Sequence, residues 1–188
     1  MNPDWWPYRI RFSGPDERSR RQGLQCVKVK YAPMKLFKKL GLMLVMLVMV
    51  AQAQQRAFDL IQAASKGDAA ALAQLKTLGN KGDIVAQRAI GVMYDLGNGV
   101  PKDFVEAVFW YRKSANQGDS KGQGLLSTMY RNGHGVPKDL VIAYMWCNLA
   151  AAQGEEIAKE GRELLGKIMT PAQIAEAQKL SREWKPKP

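Results

Sequence analysis

A run of 36 residues occurs twice in this chain, and the two copies abut without an insertion. Residues 82–117 read GDIVAQRAIGVMYDLGNGVPKDFVEAVFWYRKSANQ, and residues 118–153 read GDSKGQGLLSTMYRNGHGVPKDLVIAYMWCNLAAAQ. They share G-D, a Gln, M-Y, G-x-G-V-P-K-D, a Val, an Ala, a Trp, and a closing Ala and Gln. A period of this size means stacked supersecondary units, because one such unit cannot hide its apolar face alone.

Each copy reads as two helices joined by a turn. Ala86, Ala89, Ile90, Met93 and Tyr94 recur at helical spacing, and Gly97 and Gly99 then break the stripe. Glycine just past a helix accepts the left-handed conformation that closes it. Val100-Pro101 extends the chain, since proline disfavours helix in the residue before it. Asp103 then serves as N-cap, and Glu106 three residues on predicts a capping box. The second helix carries Phe104, Ala107, Val108, Tyr111 and Ala115, with Trp110 beside them. Gly118 ends it and Asp119 caps the next. The second copy repeats this plan through Met129, Tyr130, Gly133, Gly135, Asp139, Ala143 and Trp146.

The pattern G-D-x-x-A-Q-x-x-x-G-x-M-Y-x-x-G-x-G-V-x-K-D-x-x-x-A-x-x-W-Y resembles the Sel-1-like repeat, a relative of the tetratricopeptide repeat. Two near-complete units cover residues 82–153, with weaker matches in the flanks. The second unit departs where Gly122 replaces Ala86, Ser127 replaces Gly91 and Cys147 replaces Tyr111. The resemblance implies an all-α fold, a right-handed superhelix of stacked helix-turn-helix repeats. It also implies a scaffold that binds proteins.

The flanks read as caps. In residues 54–81, Phe58, Leu60, Ile61 and Ala64 predict a helix ended by Gly67, with Asp68 capping the next. Ala71, Leu72, Leu75 and Leu78 form that second stripe, with Gly79 expected to end it. In residues 154–188, Gly154-Glu155 starts a third unit whose stripe is expected from Ala158, Leu164, Leu165 and Ile168. Thr170-Pro171-Ala172-Gln173 is a strong helix start, followed by Ile174, Ala177, Gln178, Leu180 and Trp184. Lys185 to Pro188 is expected to fray. Residues 54–188 thus read as one domain of about eight helices.

Upstream, residues 1–33 show no helical or strand period and are expected to lie outside the natural product or to be disordered. Residues 34–53 run from Lys35, Lys38 and Lys39 through an apolar stretch, Leu40 to Val50, to Ala51-Gln52-Ala53. A basic start, a short apolar core and an A-x-A site describe a secretory signal peptide, cleaved after Ala53. The apolar run is shorter than the roughly 20 residues of a membrane span. The expectation is therefore synthesis from Met34, export to the periplasm or beyond, and membrane contact only during export. A membrane-tethered regulator that keeps the segment is the alternative.

That cut removes most of the charge. The full chain has 28 Lys and Arg against 17 acids, but residues 1–53 hold ten of the bases and three of the acids. The remaining 18 and 14 are dispersed, which argues against nucleic-acid binding. Cysteine is equally sparse: once Cys26 is excluded, Cys147 has no internal disulfide partner and reads as a small packing residue.

Catalytic chemistry finds few candidates. His134 is the sole histidine and sits in the G-H-G turn. No zinc spacing, nucleophile elbow or phosphate loop is present. Asp68, Asp83, Asp103, Asp119 and Asp139 all fall at helix starts, where they serve as caps. The reading is non-enzymatic, with no cofactor or metal. Some cysteine-rich relatives are linked to cell-wall chemistry, so an enzyme or a peptidoglycan- or β-lactam-binding protein is a second alternative. This chain lacks their paired cysteines. If the first helices of successive units line a concave face, Arg88, Val92 and Asp95, with Gly124, Thr128 and Arg131 at the same offsets, would meet a protein or peptide partner.

Overall fold

Each G-D step of the sequence becomes a corner between helices. The computed structural model describes residues 49, 52 and 55–187. The expected signal segment, the tail before it and the proposed start at Met34 therefore lie outside the described residues, apart from two helical positions, Met49 and Gln52. None of the described helices is long and apolar enough to cross a membrane.

Residues 55–65 are helical and are called α1. Then follow α2 (Ala69–Asn80), α3 (Ile84–Leu96), α4 (Phe104–Asn116), α5 (Ser120–Asn132), α6 (Leu140–Ala152), α7 (Glu156–Ile168) and α8 (Pro171–Glu183). The described residues contain no strand, and the chain is an all-α solenoid. Asp68, Asp83, Asp103, Asp119 and Asp139 each cap a helix by accepting from backbone N–H groups in its first turn. Gly97 and Gly133 close α3 and α5 in the left-handed region, at φ 78° and 77°. Gly135 faces a second demand, because a Cβ there would collide with the backbone of Phe104 and Val105. The G-x-G turn is thus both a helix stop and a close backbone approach.

From α2 to α7 each helix packs against the next in the chain, and α8 returns against α6. Their buried stripes form three consecutive clusters rather than one central core. Trp110 sits in the first, against Leu75 and Ile90, and Trp146 in the second, with Tyr111, Leu126 and Met129. They are only 3% and 6% exposed, so both copies hide their oily side against a neighbour. This is the nearest-neighbour stabilisation expected of a repeat array.

A second device recurs with the period. Gln87 Nε2 donates to the Gly79 carbonyl at 2.8 Å, and Gln117 Nε2 donates to Gln87 Oε1 at 2.8 Å. One repeat later, Gln123 Nε2 donates to the Ala115 carbonyl at 3.2 Å and Gln153 Nε2 to Gln123 Oε1 at 2.9 Å. Each central Gln is buried and ties three successive helices by an amide ladder. The tyrosines of the two M-Y pairs behave likewise. Tyr94 Oη accepts from Lys76 and Tyr130 Oη from Arg112, both at 2.7 Å.

Five local expectations change. Gly79 does not end α2; it lies inside the helix, because its missing Cβ makes room for the Trp110 ring, which a Cβ would meet at 2.9 Å. Asp103 caps α4 without a reciprocal box, since the Glu106 carboxylate instead accepts from Trp110 Nε1 at 3.3 Å. In α7 the buried stripe is Ala158 and Leu165, continued by Met169, while Leu164 and Ile168 face outward. The C-terminal segment is pinned rather than frayed: the Lys187 N–H donates to the Asn116 carbonyl at 2.7 Å, and Trp184 packs edge-on against Trp146. The expected start of α8 holds, with Thr170 and Gln173 forming a full capping box. In that helix Ala177 is buried and Gln178 exposed, and Ser181, absent from the expected stripe, is buried and donates to the Ala177 carbonyl.

Candidate partner-binding groove

The first helices of three successive units, α3, α5 and α7, share one side of the array and line a cavity of about 520 Å³. Because the units repeat every 36 residues, side chains align in rows across them. Arg88, Gly124 and Glu160 form one row; Val92, Thr128 and Leu164 form another. Every member of both rows lines the cavity. Lys121 and Ile157 stand nearer the helix starts, and Arg131 toward the far end.

The floor is made of small residues that the second unit substitutes. In the first unit a Cβ on Gly91 would meet the Tyr111 ring at 2.5 Å, so the large ring requires glycine. In the second unit Ser127 and Cys147 occupy these places together. Ser127 Oγ donates to the Ala143 carbonyl at 2.7 Å, and Cys147 Sγ donates to the Ala158 carbonyl at 3.0 Å. Gly161 lies against that sulfur; a Cβ would approach it to 2.9 Å. The departures from the repeat pattern are therefore a compensated change of volume that hollows the groove. Burial pushes the Cys147 thiol above its ordinary pKa, outweighing the lowering by the Ser127 hydrogen bond and by Arg131 and Arg162. A raised thiol pKa suits a packing residue better than a nucleophile.

The walls are mostly apolar. Ile157 and Leu164 are 77% and 54% exposed, although α7 has a buried stripe of its own. Val92 and Leu125 add to this surface and are half-buried. Four charged side chains line the groove without an ion pair among the described residues: Lys121, Arg131, Glu155 and Glu160.

Of the five residues expected to meet a partner, Val92, Thr128 and Arg131 line the groove freely, and Gly124 joins them. Arg88 also lines it, but its Nη1 donates to both carboxylate oxygens of Asp119, at 2.6 and 2.8 Å. Asp119 also accepts from Ser114 Oγ at 2.6 Å and caps α5. Arg88 is therefore largely a structural tie between units. Asp95 is outside the cavity lining and accepts from Tyr111 Oη at 3.2 Å. Burial, then the charge and hydrogen bond of Asp95, hold the Tyr111 hydroxyl protonated far above its usual range. Ile157, Leu164 and Gly161 were not legible as groove residues, because the third unit matches the repeat only weakly. Aligning α7 on α3 and α5 at the fixed period could have found them.

His134 stacks on Phe104 with ring centroids 4.4 Å apart, closing the turn. The described residues hold no cluster of three or more His, Cys, Asp or Glu that could bind a metal.

Comparison with known proteins agrees with this architecture. The Sel1 repeat model matches residues 84–119 and 120–155. A protective antigen present in uropathogenic Escherichia coli strains, displaying an SLR fold, is similar at 33% identity and TM-score 0.59. That likeness covers 61% of this chain and 25% of the antigen, so this chain corresponds to a quarter of that protein's length. A Sel1 repeat protein from Oxalobacter formigenes is similar at 32% identity and TM-score 0.52, over 63% of this chain and 96% of that protein. No curated protein matches the chain.

Proposed function

Because this chain belongs to the Sel1 repeat family, we propose that it is an exported, non-catalytic scaffold whose groove holds a segment of a protein partner. The observation that carries this reading is the open apolar wall of α7. Ile157 and Leu164 leave large aliphatic surface in water beside a hollowed floor, and contiguous apolar surface of this kind marks interaction sites. A groove lined by successive helices is the surface that helical repeat arrays offer to partners. Export rests on the pattern of residues 34–53, and protein recovered from culture medium or periplasm should begin at Gln54.

Photo-crosslinking tests the groove. A benzophenone side chain at Thr128, which is exposed on the groove wall, should capture a discrete partner in cells. The same group at Val105, exposed on α4 away from the groove, should not. Equal capture at both positions, or none at Thr128, would overturn the assignment. Leu164→Asp should abolish the Thr128 product with helicity unchanged, because Leu164 contributes little to the core.

A further inference from the structure

Gly124 lies in the middle of α5, where glycine weakens a helix more than any residue except proline. Each structural reason for a glycine fails here. Its φ is not positive, and a Cβ would meet nothing within 4 Å. The contrast with Gly91 and Gly122 is direct, since those two abut the Tyr111 ring and Ser114 Oγ. The equivalent position one unit earlier is Arg88, whose guanidinium fills the space and binds Asp119. One unit later Glu155 stands in the place of Asp119 and makes no cap hydrogen bond. Loss of the arginine at position 124 thus removes both a side chain and an inter-unit tie, and leaves a recess between Val92, Leu125, Ile157 and Leu164.

The charges around this recess are not symmetric. Glu155 and Glu160, with Lys121, stand toward the start of α7. Arg131 aligns with Lys167 by the repeat period, roughly two turns and about 10 Å beyond Glu160. At that end no acid lines the cavity. Asp95, the acid in the same row, is engaged by Tyr111.

We propose that Gly124 is a specificity-determining residue: its open recess takes a bulky apolar side chain of a linear peptide, and Arg131 receives a carboxylate next to it. This rests on the groove being the partner site. The preferred occupant is a peptide pairing an aromatic or large aliphatic residue with Asp, Glu or a chain-terminal carboxylate. Apolar burial supplies the affinity, and the arginine sets the direction in which the peptide lies.

The test uses the full chain and a phage-displayed library of random linear peptides, followed by fluorescence anisotropy with the selected peptides. The expected selection is the apolar–acidic pair. Gly124→Leu should weaken binding roughly tenfold to a hundredfold by filling the recess, while its helicity and melting temperature hold or rise. Arg131→Gln should weaken peptides bearing the carboxylate but leave their amidated or Asn/Gln counterparts unchanged. Peptides that bind Gly124→Leu as well as wild type, yet are lost with Leu164→Asp, would overturn the recess and keep the groove. Selection of basic peptides, or equal loss of both peptide forms in Arg131→Gln, would overturn the charge assignment. Peptides indifferent to Leu164→Asp, or no selection at all, would overturn the groove reading and this inference with it.

Discussion

Exchanging the pair Gly91 and Tyr111 for the pair found one repeat later, Ser127 and Cys147, tests whether the two units differ by compensated packing. Gly91→Ser alone drives a Cβ to 2.5 Å from a ring that is fully buried and held by Asp95. The ring cannot swing aside, so overpacking of about 1–3 kcal/mol is expected, reduced by a few tenths from better helix propensity. Tyr111→Cys alone removes a buried aromatic ring and its hydroxyl partner, a loss on the order of 3–5 kcal/mol. In the double variant the clash is gone. The introduced serine hydroxyl would then reach the Ala107 carbonyl as Ser127 reaches that of Ala143. The double variant should therefore be about 1–3 kcal/mol more stable than the sum of the singles. Urea titrations followed by far-UV circular dichroism, with midpoints compared at equal slope, give the four free energies. Additivity within about 0.5 kcal/mol would refute the idea that these substitutions answer each other.

Three other outcomes follow from named contacts. Gln123→Ala removes a buried amide together with the hydrogen bonds it makes to the Ala115 carbonyl and receives from Gln153, and should lower unfolding stability by about 1–3 kcal/mol in the same titration. Gly79→Ala puts a methyl 2.9 Å from the Trp110 ring and should destabilise, whereas Gly166→Ala, with nothing within 4 Å, should raise stability by roughly 0.5–1 kcal/mol. Melting-temperature shifts of opposite sign are expected; an unchanged or raised melting temperature in Gly79→Ala would disprove the interface role of Gly79. Finally, Cys147 and Tyr111 both hold their protons more tightly folded than unfolded. For an acid raised in this way the folded state binds more protons. Stability is then full below the ordinary pKa values of 9.0 and 10.0 and falls as pH climbs past them. Denaturation midpoints measured from about pH 8 to about pH 11 should fall in the wild type and fall less in Cys147→Ala.

Much of the fold was legible because its signals are local. A cap acts on N–H groups two or three residues away, and a left-handed glycine acts on the turn that contains it. So Asp83, Asp119, Gly97, Gly133 and the Thr170–Gln173 box could be placed from neighbours in the chain. The errors arose where a residue answers to a distant partner. Gly79 looked like a stop, yet it makes room for the indole of Trp110, far along the chain. Glu106 looked like half a box, yet it serves Trp110. In α7, Leu164 and Leu165 are adjacent and equally apolar. Which one is buried depends on whether another helix covers that side.

From the chain alone came the period, the helical hairpin within it, the caps and the solenoid class, since each depends on spacing along one polypeptide. Tertiary structure decided the groove. Gly124, Cys147 and Gly161 become its floor only when helices of successive units lie side by side. Arg88, legible as a surface cation, is revealed as a tie only because Asp119 is brought within 2.6 Å of it. Volume and charge pairing are properties of space between elements, and no spacing within a single element encodes them.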